Sequence, residues 1–321
     1  MVDDAGLLAR RPCYYSLKIG STLGAFFAAW VAFVLVGDSW ATVGIAVLLA
    51  VMSSQVVFLG HDAGHRQVSS SPRVNRMVGL LVGNVLTGLS YGWWVPKHNA
   101  HHAYPNQVGR DPDMGEGLVA FVASSSLSSS DSSAVRARAR TQRRIVLLLL
   151  LLQGLGLHVT SVRSAFERAK DGRAADGLLL AGNAALYLTL VFWVLSPLKA
   201  MVFITVHQCL FGFYLGSTFA PNHKGMPVLA RDADVSFLER QTVTARNVLG
   251  GRCITWLYGG LNYQIEHHLF PNMPRGNLVR AQVIVEAFCA EHGLTYRQAG
   301  LAASYRQAFF GPTGPLDAGS T

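Results

Sequence analysis

Long apolar runs alternate with basic, polar stretches along this chain. Four of the runs meet the requirement of about 20 apolar residues for a helix that crosses a bilayer: 19–36, 40–60, 178–196 and 200–219. Two more, 77–89 and 145–159, are apolar but short. Charge placement decides how these two are read. Lysine and arginine gather at Arg10–Lys18, Arg66–Arg76, Arg136–Arg144 and Arg163–Arg173, and short loops rich in these residues stay on the cytoplasmic side. The turns Gly37–Ser39 and Ser196–Lys199 hold a single lysine and suit the outside. A crossing at 145–159 would put the next basic loop outside. The consistent reading has four spans, with both short runs at the membrane interface or against a cytoplasmic domain. Both termini then face the cytoplasm, as do 61–65, 98–102, 222–226 and 264–268.

Composition agrees with a membrane protein. Of 321 residues, 50% are hydrophobic and only 14% charged, where soluble domains carry about a quarter charged. The formal charge of +9 raises nucleic acid as a partner, but cytoplasmic loops of membrane proteins collect the same residues, so no nucleic-acid partner is expected. The four cysteines, Cys13, Cys209, Cys253 and Cys289, form no C-x-x-C pair. That argues against a zinc ribbon, an iron–sulfur module or a disulfide framework. Neither G-x-G-x-x-G nor a P-loop pattern occurs, so the chain shows no nucleotide-binding fingerprint. The serine-rich stretch 124–133 and the arginines after it are read as one cytoplasmic loop, about 122–144, its arginines an ordinary positive-inside anchor before a binding site for acidic lipid headgroups or an acidic partner protein. The whole of 1–321 is read as one domain with a cytoplasmic C-terminal region at 220–321.

The histidines change the picture. HDAGH at 61–65 places two imidazoles four residues apart on one helix face, directly after an apolar run. HNAHH at 98–102 and QIEHH at 264–268 repeat polar side chains at i, i+3 and i+4. Eleven histidines in 321 residues give roughly 0.4 adjacent pairs by chance; this chain has two, in the same frame. His61, His65, His98, His101, His102, His267 and His268 make seven imidazoles, and His223, just past the last apolar run, is an eighth. One tetrahedral zinc with an open position uses three protein ligands, so two metals fit better. Imidazole suits zinc, copper and iron alike. A redox metal beside a bilayer points to oxidation of a lipid chain.

HDAGH, HNAHH and YGGLNYQIEHHLFPNMPR (258–275) resemble the three histidine boxes of membrane-bound fatty acid desaturases. Glutamine at the head of the third box is similar to the front-end branch, and FAPNHKGMP (219–227) resembles that family's segment after its last span. The resemblance implies an all-α integral membrane protein, four transmembrane helices capped by a cytoplasmic helical domain with a histidine-rich di-metal site. It implies two non-haem irons and O₂-dependent desaturation of a fatty acyl chain. The seven box histidines become iron ligands, His223 matches the extra ligand, and Gln264 takes a slot held by histidine in other branches. Gln264, Asp62, Asn222 and Glu266 are expected as weak ligands or outer partners. Asp111, Asp113, Asn106 and Asn262 also flank the boxes. The H-P-G-G haem motif of fused cytochrome b5 domains is absent from these 321 residues. A separate electron donor, of ferredoxin or cytochrome b5 type with its reductase, is therefore expected. The substrate carrier is left open among glycerolipid, acyl-CoA and acyl-carrier protein.

Other outcomes carry different requirements. A lipid hydroxylase or acetylenase would use the same iron site. An intramembrane zinc protease built on HDAGH, with Asp62 as base, leaves the other two boxes unexplained. A metal transporter would spread its ligands along the spans. His207 lies within the fourth span, as a group in an acyl tunnel or as a hydrogen-bonded packing residue. His158 and His292 are expected at the surface or interface.

Overall fold

The computed structural model describes residues 1–114, 133–170 and 174–310, with 133–144 and Phe310 by backbone alone. Among these, five helices are long and apolar enough to cross a membrane: Pro12–Val36, Thr42–Gly64, Ile145–Lys170, Ala175–Val194 and Pro197–His223. Four of them contain most or all of an expected span. The fifth corrects the reading of 145–159 as a short run. Its helix starts at Ser133 and runs on to Lys170, through good helix formers such as Arg163, Glu167 and Arg168. An Arg163–Glu167 pair at 3.4 Å, four residues apart, supports that extension. The same helix claims 133–144, the second half of the expected loop, because its alanines and arginines favour helix. The serine-rich part at 124–132 lies outside the described residues.

The expected short run 77–89 belongs to a bent pair. Pro72–Thr87 and Tyr91–Ala103 meet at 115°. Length and composition therefore allow five crossings, or six if this pair counts as one.

The backbone divides into two compact units. One comprises Arg10–Pro96 and Leu150–Gly216 and holds most of the apolar helix length. Phe26, Phe33, Leu49, Val56, Leu59, Val82, Val191 and Phe203 form its buried core. The helix Thr42–Gly64 is its centre, buried along most of its length, whereas Pro12–Val36 is mostly exposed. Leu35, Leu186 and Trp193 point outward and exposed, which lipid tolerates because it is as apolar as they are.

Glycine lets two helices of this unit touch backbone to backbone. A Cβ added to Gly212 would lie 2.2 Å from the Gly154 nitrogen, a contact of the small-residue kind that membrane helices use. Gly212→Ala is expected to force Ile145–Lys170 and Pro197–His223 apart, at a cost of about 1–3 kcal/mol. Thermal unfolding in detergent would read this as a lowered midpoint; an unchanged midpoint would refute the close approach.

The elbow between the bent helices is pinned by polar groups. Gly88 takes a left-handed φ of +67°. Ser90 caps the next helix, its Oγ accepting from Trp93 N–H at 3.1 Å, and donates to Asp176 at 3.1 Å. Asn84 Oδ1 accepts from Tyr91 N–H at 3.0 Å. These bonds fix the start of Tyr91–Ala103, the helix that carries the second histidine box.

The second unit comprises Met1–Ala9, Lys97–Leu149 and Ser217–Thr321. It is mostly helical, with one pair of short parallel strands, Asn247–Leu249 and Gln298–Gly300. Pro221 in the last turn of Pro197–His223 has no N–H, which would orphan the carbonyl four residues earlier. The Tyr305 hydroxyl donates to that Ser217 carbonyl at 2.9 Å. Arg246 completes the repair. Fully buried, it donates from Nε to the Pro221 carbonyl at 3.0 Å and from its guanidinium to Lys224 at 2.9 Å. Burial, then the neighbouring Arg297 charge, pull Arg246 down to about 10, so it stays charged at neutral pH. The chain around His223 is thereby held by a cation at a helix C-terminus, where the helix dipole favours one.

Candidate metal centre

Six imidazoles of the second unit come from three helices. His98, His101 and His102 come from Tyr91–Ala103, His223 from the end of Pro197–His223, and His267 and His268 from Gln264–Leu269. The i, i+3, i+4 spacing puts each box on one helix face. Two groups result. His101, His223 and His268 each bring a ring nitrogen within 4.8 Å of the others. The same holds for His98, His102 and His267. The His102 ring stacks on His268, centroids 4.1 Å apart, and so joins the groups.

The outer bonds of the first group fix its protons. His101 Nδ1 is 3.0 Å from both oxygens of Asp111. Burial raises the Asp111 pKa, but the His101 bond and charge and the backbone N–H of Asp113 and Asn106 outweigh it. The carboxyl is held below the usual range. An ionised carboxylate only accepts, so Nδ1 of His101 carries the proton. His223 Nδ1 donates to the Thr244 carbonyl at 3.0 Å. His268 Nδ1 donates to Gln241 Oε1 at 2.9 Å, an orientation set at the other end, where Gln241 Nε2 donates to the His102 carbonyl at 2.9 Å.

Each Nε2 is therefore the lone-pair nitrogen, and the three point at one another. His101 and His223 Nε2 stand 3.4 Å apart, His223 and His268 Nε2 3.2 Å. Acceptors packed this closely repel unless a cation lies among them. Nitrogens that share a metal at about 2.1 Å are about 3.0–3.4 Å apart for octahedral to tetrahedral angles. The donor set and its spacing fit a metal ion. His98 and His102 Nε2 approach similarly, at 3.1 Å.

His61 and His65 belong to the other unit. Both are buried at the end of Thr42–Gly64, ring centroids 4.7 Å apart, with the Trp94 ring 5.5 Å from His61. Asp62 Oδ1 lies 3.7 Å from Nδ1 of its neighbour His61.

The flanking residues divide by role. Asn106 reaches from Asp111 to the His223 carbonyl, donating from its backbone N–H at 2.8 Å and from Nδ2 at 2.9 Å. It holds a φ of +52° that asparagine tolerates. Asp113 pairs with Lys97. Gln264 Nε2 stands 2.9 Å from His223 Nε2. Asn222 bonds Gln264 at 3.0 Å, and Asn262 bonds the Val248 carbonyl at 3.3 Å. Glu266 has other work: its carboxylate accepts from Asn247 at 2.8 Å and Tyr296 at 2.7 Å, which anchors the third box to the strand. Gln241 and Thr244 escape sequence reasoning, because nothing in QTVTARN marks them; only folding sets the helix Phe237–Val243 beside the box.

His158, expected at the surface or interface, has partners within the fold. It is half-buried between the Gly88 carbonyl and Gln208 Oε1, 3.0 Å from each. His207 is buried between Ser53 at 3.3 Å and Tyr187 at 2.9 Å. His292 is exposed, stacked on Phe288.

The sequence matches the family model described as fatty acid desaturase over residues 38–300. The chain belongs to the fatty acid desaturase family. It is 31% identical to an acyl-lipid (9-3)-desaturase of Physcomitrium patens over 303 residues, 90% of this chain and 56% of that protein. It is 32% identical to a Delta(8)-fatty-acid desaturase of Euglena gracilis, covering 91% of this chain and 71% of that one. A Delta(5) fatty acid desaturase of Caenorhabditis elegans is 32% identical, with 92% and 67% covered. The chain thus spans between 56% and 71% of the length of these three relatives. The histidine-rich site of this desaturase-family chain is a metal-capable one, and the front-end resemblance read from the third box agrees with relatives named for Delta(5) and Delta(8) desaturation.

Proposed function

We propose that this chain desaturates a fatty acyl chain in an O₂-dependent reaction at a non-haem di-iron centre, with electrons supplied by a separate redox protein. The observation that carries the reading is the convergence of three lone-pair nitrogens, those of His101, His223 and His268, at metal-ligand spacing. These three would hold one iron. His98, His102 and His267 would take part in holding the other, with His61 and His65 as further ligands on the strength of the first box. Two irons, when bound, supply the one-electron chemistry and O₂ reduction needed to remove two hydrogens from an unactivated chain. The protein's share is orientation. Asp111, Thr244 and Gln241 keep the protons of three ligands on Nδ1, so Nε2 stays available. Burial of His101, His102, His267 and His268 limits access of bulk water and with it the loss of oxidising equivalents.

An acyl chain held as glycerolipid, acyl-CoA or acyl-carrier protein is the substrate class in this reading, and the bilayer is its reservoir. The basic segments are the docking face for a ferredoxin or cytochrome b5 type donor, since opposite charge speeds encounter. The decisive assay uses purified chain, an acyl substrate and O₂. About two irons per chain are expected, with an alkene product only when a donor and its reductase are added. A chain without iron, a hydroxylated product, or full turnover with NAD(P)H alone would each overturn part of the proposal.

Topology belongs to the same reading: the active site and both termini are cytoplasmic, and four helices cross. Parity supports it. His101 and His223 meet, yet Ile145–Lys170, Ala175–Val194 and Pro197–His223 lie between them in sequence, and three full crossings cannot return a chain to its starting side. The last two form a hairpin through a short turn. Ile145–Lys170 is the one with arginines beyond both ends of its apolar run, so it packs on Gly212 without crossing. A cysteine placed at Arg163 is expected to resist an impermeant label applied outside intact cells. Labelling there would sink the four-span topology.

A further inference from the structure

Gln264 heads the third box and lies against His223, close enough for its amide oxygen to serve as a ligand if it faced the pocket. We infer that it does not: Gln264 presents its amide N–H groups to the pocket of His101, His223 and His268. The group it takes there is an anion or an oxygen-bearing small ligand of the metal. This inference rests on the reading of those histidines as a metal centre.

A chain of one-way hydrogen bonds carries it. The backbone carbonyl of Leu261 can only accept, and Asn222 Nδ2 donates to it at 3.0 Å. That contact locks the Asn222 amide, with its nitrogen turned toward Leu261. The second hydrogen of the same nitrogen goes to Gln264 Oε1, also at 3.0 Å. The Gln264 oxygen is thereby turned toward Asn222, and its nitrogen is left facing His223 Nε2 at 2.9 Å. His223 Nδ1 is already committed as a donor to Thr244, so its Nε2 accepts from Gln264.

Turning the Gln264 amide over would set its NH₂ against the NH₂ of Asn222. Turning both would set Asn222 Oδ1 against the Leu261 oxygen. Asn222 is wholly buried and Gln264 is 3% exposed, so water cannot relieve either clash. Once a metal takes the His223 lone pair, the Gln264 hydrogens need another acceptor. A bare cation repels them, whereas an anion on the cation accepts them. Gln264 is therefore suited to bind what the metal binds.

The test loads purified full chain with Co²⁺ and follows azide binding by the cobalt ligand-field bands. Wild type is expected to take up Co²⁺ and bind azide. His223→Ala is expected to lose cobalt. Gln264→Leu is expected to keep the wild-type cobalt content while azide binding weakens about tenfold or more, the effect of losing one hydrogen bond to a charged group. Gln264→Glu, close in shape and still an acceptor for Asn222, guards against misfolding; it should keep cobalt and bind azide more weakly still. Loss of cobalt from Gln264→Leu to the extent seen in His223→Ala would make the glutamine a ligand and overturn the inference. Unchanged azide affinity in Gln264→Leu would overturn it as well. Wild type that takes up no cobalt would instead overturn the metal centre itself, and the inference with it.

Discussion

His268→Ala is expected to empty at least one metal position and to reduce acyl desaturation at least about 100-fold, the upper end of what disturbing a mere outer partner does. His268 is held from three directions. Its Nε2 faces that of His223 at 3.2 Å, its Nδ1 is held by Gln241 at 2.9 Å, and its ring lies on His102. Alanine removes one of the converging nitrogens and a stacking surface together. The change also opens a cavity in a fully buried place, so the fold itself must be checked by unfolding in detergent. His292→Ala is the control, since that ring is exposed and stacks only on Phe288 among the described contacts. Bound metal per chain and product per chain should both fall for His268→Ala, and neither should fall in the control. A variant that kept its iron and its turnover would remove His268 from the centre.

Asp111→Asn is expected to cost about 10–100-fold in metal affinity although no ligand is touched. The reason is the proton. The Asp111 carboxylate accepts from His101 Nδ1, from Asn106 N–H at 2.8 Å and from Asp113 N–H at 2.9 Å. An asparagine there keeps its oxygen for one backbone N–H and turns an NH₂ toward an acceptor. The available acceptor is His101 Nδ1, which must then give up its hydrogen to Nε2. An Nε2 that carries hydrogen cannot bind a metal. Shape is preserved while the tautomer is wrong, which separates this effect from simple unfolding. Iron titration into the purified variant measures it. Wild-type affinity in Asp111→Asn would show that the carboxylate supports the loop 104–113 and nothing more.

Much of this protein was legible in one dimension. Apolar length announces a span wherever the run is uninterrupted, as at 40–60, because lipid demands that every exposed side chain be apolar and every backbone group be paired within its own helix. The boxes were legible for a related reason. Two or three imidazoles on one helical face is a local pattern with a fixed period, and chance seldom produces it three times.

What stayed hidden depends on partners far away in sequence. The helix Ser133–Lys170 looked like a loop and a short apolar run, since Arg144 and Thr160 bound the apolar part. Helix formation depends on backbone propensity and continues through such residues. The partners of His158 are Gly88, 70 residues earlier, and Gln208, 50 later. Gln241 reaches the His102 carbonyl across 139 residues, and Asn222 locks Gln264 across 42. Sequence period sets which side chains share a face, because that is a property of one helix. Which nitrogen of a histidine keeps its proton, and which end of an amide faces a metal, are set by single acceptors that only the folded chain brings within 3 Å.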